Sequence, residues 1–187
     1  MLLRDIFRES MPIILLCGIG ELLASSMLIA FHSSFLSIPA LIVMIPAIIG
    51  LRGNVSGALG SRLGSAAHLG LIREGDIWNE ESRRSIFSSL ILGLMMSLFA
   101  AFLAFAVEFL SNAGVDPLNL VKLALIASLT GVVAGVVLAG ITLLIIILSF
   151  RHGYDPDNVI TPGLATIGDI ATVAILFLTA HGVEVIL

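Results

Sequence analysis

Five long apolar runs determine what this chain can fold into. A helix needs about 20 apolar residues to cross roughly 30 Å of membrane hydrocarbon. Runs of that length occupy residues 11–31, 36 to about 58, 86–110, 120–149 and 159–180. The chain is 58% hydrophobic and 12% charged, which lies outside the range of soluble domains. The sequence therefore predicts an all-α integral membrane protein with five transmembrane helices, forming one domain over residues 1–187 without a soluble regulatory domain.

The basic residues predict how these helices cross the membrane. Arginines stand before span 1, between spans 2 and 3, and between spans 4 and 5, namely Arg4, Arg8, Arg62, Arg73, Arg83, Arg84 and Arg151. The other two connections contain no Lys or Arg, and basic loops are retained in the cytoplasm. We therefore expect a multi-pass protein of the plasma membrane, surrounded by lipid, with a cytoplasmic N-terminus and an external C-terminus. With nine Lys and Arg residues and a net charge of -4, the chain offers no basic surface for nucleic acid.

Span 2 has an unusual composition for a lipid-facing helix. Residues 46–70 read "PAIIGLRGNVSGALGSRLGSAAHLG". Pro46 removes a helix hydrogen bond, and the recurring glycines permit backbone conformations that other residues avoid. This pattern predicts a Gly/Pro-interrupted helix whose freed carbonyls, with Gly50 and the side chain of Asn54, face an ion or a hydrated cavity. Close helix packing also explains glycines at this spacing, and it is the interpretation we favour for Gly131 and Gly135 in span 4.

Two carboxylates, Glu21 and Asp169, lie near the centres of spans 1 and 5, where ionisable residues are costly and are functional candidates. Asp169 shares one helix face with small and polar residues at three- and four-residue steps, namely Asn158, Pro162, Ala165, Thr166 and Thr172. The alternative is a buried carboxylate satisfied by a neighbouring helix, with the threonines bonded to their own backbone. Glu21 is either a second pore carboxylate or a structural group that pairs with Arg52 in span 2 or with a backbone donor. Arg52 is itself a candidate residue of the pore or its entrance.

The available ligands favour a hard cation. Carboxylate, amide, hydroxyl and carbonyl oxygens suit Mg²⁺, which keeps several of its waters and needs only one or two carboxylates. Asp155, Asp157 and Asn158 precede span 5 and form either a helix start or a cytoplasmic entrance that attracts cations. Because one such carboxylate per chain is few for a complete pathway, we expect a two-fold homodimer with the conduit at or near its interface.

Two segments resemble the MgtE-type magnesium transporters and, more closely, their eukaryotic solute-carrier relatives. The span 2 segment is similar in its Pro, its Gly-Asn pair and its later Arg-Leu, and Arg52 resembles a basic residue of the solute-carrier branch. Residues 155–176, "DPDNVITPGLATIGDIATVAIL", are similar to the fifth helix of the family. The resemblance implies a dimeric five-helix domain in which Asp169 is the central Mg²⁺-binding carboxylate and the hydrated ion is lined by Gly50, Asn54, Thr161, Ala165 and Thr166.

These features predict a magnesium transporter or channel rather than an enzyme, with Mg²⁺ as the transported ion. The bacterial members carry a large cytoplasmic regulatory region before the membrane domain, whereas only ten residues precede span 1 here. The solute-carrier relatives are associated with sodium-coupled exchange, so Na⁺ is a candidate coupling ion. The alternative function is a non-transporting membrane scaffold or a subunit of a larger complex, in which the glycine-rich helices serve packing alone.

Overall fold

The computed structural model describes an all-helical chain. It covers residues 3–31, 38–73, 75–111, 116–152 and 156–187, with backbone but not side chains described for 3–10, 13, 149–152 and 156–163. The five described helices are α1 Leu3–Ala30, α2 Pro39–His68, α3 Glu80–Ser111, α4 Pro117–His152 and α5 Pro156–Ile186. Their order matches the order of the five apolar runs.

Four helices are long and apolar enough to cross a membrane. They are α2, α3 and the described apolar parts of α4 and α5, Pro117–Leu148 and Leu164–Ile186. This confirms an all-α protein of the membrane class. The apolar part described for α1 is shorter, Ile14–Ala30, so a fifth span at α1 stays a prediction.

The predicted interruption of the second helix is wrong, because α2 is one continuous helix through Pro46 and all its glycines. None of those glycines has a positive φ; among the described residues only Gly70 does, at 69°. Backbone groups in hydrocarbon must be satisfied within the segment, which favours an unbroken helix. Gly70 instead ends α2, where the amides of Gly70 and Leu71 donate to the carbonyls of Ala67 and Ala66 in a Schellman motif.

Helices that follow one another in the chain run in alternating directions. Glu108 near the end of α3 accepts a hydrogen bond from Asn119 at the start of α4, at 3.5 Å. The hydroxyls of Thr130 in α4 and Thr179 in α5 lie 2.7 Å apart. Phe31, directly after α1, stacks on Phe177 near the end of α5 with ring centroids 3.7 Å apart. The helices α1 and α5 therefore end on the same side of the bundle, and α1 begins on the opposite side.

Two apolar clusters hold α2 beside α5. In the first, Met44 and Ile48 of α2 are buried in the same cluster as Leu176 of α5. In the second, Leu63 of α2 is buried with Leu164 of α5. Because the two helices are antiparallel, the part of α2 between the clusters, with Gly50 and Asn54, lies at about the depth of the part of α5 with Asp169.

Small residues let α3 and α4 approach closely. A Cβ added at Gly131 would lie 2.6 Å from Ser97 Oγ, and one added at Gly135 would lie 2.8 Å from a methyl carbon of Leu90. Ser97 is fixed in turn by a 2.7 Å hydrogen bond to the carbonyl of Gly93. The prediction that Gly131 and Gly135 serve packing is confirmed.

Replacing Gly131 by alanine tests this interface. We expect Gly131→Ala to lower the free energy of unfolding by about 1–3 kcal/mol, because the new methyl group overlaps the short side chain of Ser97. Gly140→Ala, nine residues along the same helix, has open space around the added methyl and should raise stability by up to about 1 kcal/mol through helix propensity. Denaturant titration of both variants in detergent measures the difference, and equal stabilities would contradict the packing role.

Candidate functional site

Glu21 and Asp169 lie together between α1 and α5. Their side chains are close enough to interact electrostatically and to share a hydrogen bond, and both are half-buried. Two carboxylates in such contact need a shared proton or a bridging cation to offset their repulsion. The pair therefore forms a site for positive charge within an apolar bundle.

Gly20 allows α1 and α5 to approach each other closely. Gly20 of α1 is buried against the side chain of Thr166 of α5, and any Cβ at position 20 would overlap the Thr166 methyl group. The residue before Glu21 therefore determines how near Glu21 comes to Asp169. Sequence analysis missed Gly20, although a glycine directly before a carboxylate in an apolar run was an available signal for close helix approach.

Two hydroxyls on the same helix lack partners. Among the described residues, Thr166 Oγ1 and Thr172 Oγ1 are buried without a hydrogen bond, so the alternative in which they bond to their own backbone is wrong. Both residues lie three positions from Asp169, on either side. Buried hydroxyls without partners are costly, and an ion or its water shell would satisfy them.

Asp169 also lies on the same side of α5 as Leu176. It precedes Leu176 by seven residues, two helical turns, and Leu176 belongs to the cluster shared with α2. Ala165, one turn before Asp169, is exposed. The predicted polar face of α5 is therefore exposed at this position, one turn from the carboxylate.

One face of α2 is small, polar and uncovered. Gly50, Gly53, Asn54, Ala58 and Ser61 are all exposed, and they recur at the three- and four-residue steps of a helix stripe. We call this stripe the open face of α2. Exposed amide and hydroxyl groups on a membrane helix need water or another helix, because lipid cannot satisfy them.

Arg52 points away from that face. It is only 2% exposed and donates a hydrogen bond from Nη1 to the carbonyl of Gly131. Added Cβ atoms at Gly93 and Gly135 would lie 2.6 Å and 3.0 Å from its guanidinium nitrogens. Arg52 therefore occupies a glycine-lined space between α3 and α4. A pairing of Glu21 with Arg52 is wrong, since Glu21 meets Asp169 at the α1–α5 contact instead.

The predicted cytoplasmic entrance cannot be placed. Asp155 lies outside the described residues, as do the side chains of Asp157, Asn158 and Thr161, although the backbone of α5 is helical from Pro156 onward. These residues stay predictions of the sequence.

The side-chain groups near Asp169 that could bind a cation are few, and all of them bind through oxygen. No group of three or more His, Cys, Asp or Glu side chains is gathered anywhere in the described ranges. Two carboxylates and two hydroxyls cannot replace a full coordination shell, so they suit a cation that keeps most of its waters.

The contact of Gly20 with Thr166 can be tested by a double-mutant cycle. We expect Gly20→Ala to destabilise the protein by about 1–3 kcal/mol through overlap with the Thr166 methyl group. Thr166→Ser removes that methyl group and should recover most of the loss in the double variant. Gly18→Ala is the matched control, because an added Cβ there meets nothing within 4 Å. Denaturant titration in detergent gives all four values, and additive effects would contradict the contact.

The chain is similar to known transport proteins over most of its length. Residues 45–179, more than half of the chain, match the family model described as MgtE, a divalent cation transporter. Solute carrier family 41 member 3 of Rattus norvegicus is 29% identical over 171 residues, covering 88% of this chain and 36% of that protein. Solute carrier family 41 member 2 of Homo sapiens is 29% identical over 177 residues, covering 90% of this chain and 30% of that protein. The chain spans about a third of the length of these curated relatives.

Proposed function

Because this chain belongs to the MgtE family of divalent cation transporters, we propose that it carries Mg²⁺ across a membrane, largely hydrated, through a site formed by α2 and α5. The observation that carries the proposal is the contact of Glu21 with Asp169 beside two buried hydroxyls that lack partners. Such a group is costly in an apolar bundle unless positive charge and water reach it.

The ligand set selects the kind of ion. Mg²⁺ releases its waters reluctantly and is commonly held by one or two carboxylates. Asp169 supplies the central charge, Glu21 the second carboxylate, and Thr166 a hydroxyl for the ion's water shell. Gly50 and Asn54 of α2, Ala165, and Thr161 complete the lining in this proposal. A dehydrated Ca²⁺ would need six to eight oxygens, and Zn²⁺ favours the imidazole and thiolate ligands absent from this set.

A second copy of the chain is the proposed cover of the open face of α2. Asn54 and Ser61 on that face are unsuited to lipid, whereas glycine and alanine beside them permit close helix approach. A two-fold axis here would pair the same face of both copies and bring two Asp169 carboxylates toward one conduit. Arg52 supports this arrangement from behind, since it holds the other side of α2 against α3 and α4.

The proposed path for the ion begins at the cytoplasmic side and leads to Asp169. Asp155, Asp157 and Asn158 attract the cation at the proposed cytoplasmic mouth in the plasma membrane. The ion then reaches Asp169 with most of its waters, while the small residues of the open face of α2 leave space for those waters and Asn54 provides an amide. Na⁺ is the proposed coupling ion, moving in exchange for Mg²⁺.

Flux through proteoliposomes tests the role of Asp169. We expect Asp169→Asn to reduce Mg²⁺ uptake about tenfold or more, because the substitution removes the charge that attracts the hydrated ion to the site. Glu184→Gln is the matched control on the same helix, fifteen residues away and outside the proposed site. It should retain uptake.

The same assay separates the competing functions. Uptake that requires an opposing Na⁺ gradient supports exchange, and uptake without one supports a channel. Equal uptake by the unmodified chain and a folded Asp169→Asn variant would contradict the assigned site. Absence of uptake from the unmodified, folded protein would instead favour a scaffold or a missing partner.

Cysteine cross-linking tests the dimer. In a Cys17→Ser background, Ala58→Cys on the open face of α2 should form a covalent dimer with a short bis-maleimide reagent in liposomes. Leu103→Cys is the control, because Leu103 is similarly exposed, at 46%, but lies on α3. Cross-linking at residue 103 and not at residue 58 would place the interface elsewhere.

A further inference from the structure

A groove with one basic end runs along α3 and α4, away from the proposed ion site. Its wide end is a cavity of about 670 Å³, lined by Trp78, Glu80, Arg83, Arg84, Ile86, Phe87 and Leu90. A second cavity of about 360 Å³ shares Trp78, Ile86 and Leu90 and continues between the helices. The shared walls make the two cavities one continuous groove.

The wide end is suited to an anionic head group. Arg83 and Arg84 lie in the first turns of α3, close to Trp78, which is 62% exposed. Arg84 is paired with Glu80 at 3.4 Å in an exposed contact, which is worth little. Arg83 has no ion pair within the described part of the chain. Tryptophan beside arginine is the usual composition of a protein surface at the level of lipid head groups.

The narrow end is suited to a hydrocarbon chain. Val136, Ala139, Gly140 and Leu143 of α4 form one wall, facing Leu90 of α3. This wall is open at Gly140, because nothing lies within 4 Å of where its Cβ would be. None of these four residues carries a polar side chain, so the groove changes from charged to apolar along its length.

We propose that this groove binds one anionic phospholipid, with its phosphate at Arg83 and Arg84 and an acyl chain along α3 and α4. Charge complementarity selects this occupant over a zwitterionic lipid, and the apolar continuation selects it over free phosphate. The arginines also lie at the end of α3 that is expected to face the cytoplasm, where the leaflet is rich in anionic lipid. The bound chain would press Leu90 toward Gly135, beside the guanidinium of Arg52, and so stabilise the three-helix contact.

A second groove provides an internal comparison. A cavity of about 320 Å³ between α4 and α5 is lined by Leu129, Val133, Ile175, Leu178, Thr179, Gly182, Val183 and Ile186. It is similarly apolar but has no basic residue. We expect it to accept lipid chains without regard to the head group.

Lipid binding to the purified chain in detergent tests the proposal. Native mass spectrometry and the thermal unfolding midpoint would be followed during titration with phosphatidylglycerol, phosphatidylcholine or glycerol phosphate. We expect phosphatidylglycerol to bind more tightly than phosphatidylcholine and to raise the midpoint. Arg83→Gln should weaken phosphatidylglycerol binding about fivefold, the contribution of one basic residue near an anionic surface. Arg62→Gln, at an exposed position on α2 outside the groove, should leave that binding unchanged.

A second pair of variants tests the apolar end. Gly140→Leu fills the groove and should abolish the preference for phosphatidylglycerol, whereas Gly182→Leu fills the comparison groove and should retain it. Equal binding of phosphatidylcholine, an equal response to glycerol phosphate, or unchanged binding by Arg83→Gln would each overturn the proposal. None of these measurements involves Mg²⁺ flux, so the outcome is independent of the proposed transport function.

Discussion

The burial of Arg52 is the constraint on which the orientation of α2 depends. A guanidinium within an apolar bundle must keep hydrogen-bond partners and closely fitting surroundings. Here Gly131 provides a carbonyl, and the absence of side chains at Gly93 and Gly135 provides the room. Because one side of α2 is committed to this contact, its glycine- and asparagine-bearing side faces outward. The basic residue thus positions a proposed cation pathway without lying in it.

A second contact positions the acidic side of the site. Within the described chain, α1 packs against α5 and against no other helix. Its placement depends on the approach of Gly20 to Thr166, on the stacking of Phe31 on Phe177, and on the Glu21–Asp169 contact. Because α1 packs against a single helix, it has fewer contacts than the helices of the four-helix core. Elements with few contacts detach locally at a lower free energy. Movement of α1 would change the distance between the two carboxylates, which is a physical route for adjusting cation affinity.

The small residues at the α3–α4 contact and those on α2 differ in whether another helix covers them. Small residues at the α3–α4 contact are enclosed by other helices, so they permit close packing, whereas those on α2 are open and present polar groups. Residue type alone does not distinguish these cases, as the glycines of the two helices have similar spacing. Only the direction in which each glycine faces separates a packing role from a proposed lining role.

The sequence by itself determined the helical membrane class, the order of the helices and the choice of Glu21 and Asp169 as the two carboxylates to examine. Long apolar runs and the cost of burying charge are local properties, and they can be read from the composition of each segment. The tertiary structure decided the partners. It joined Glu21 to Asp169 rather than to Arg52, and it kept α2 continuous where Pro46 and the glycines predicted an interruption. These outcomes depend on which helix surfaces meet, and that choice minimises the free energy of the whole bundle rather than of any one segment.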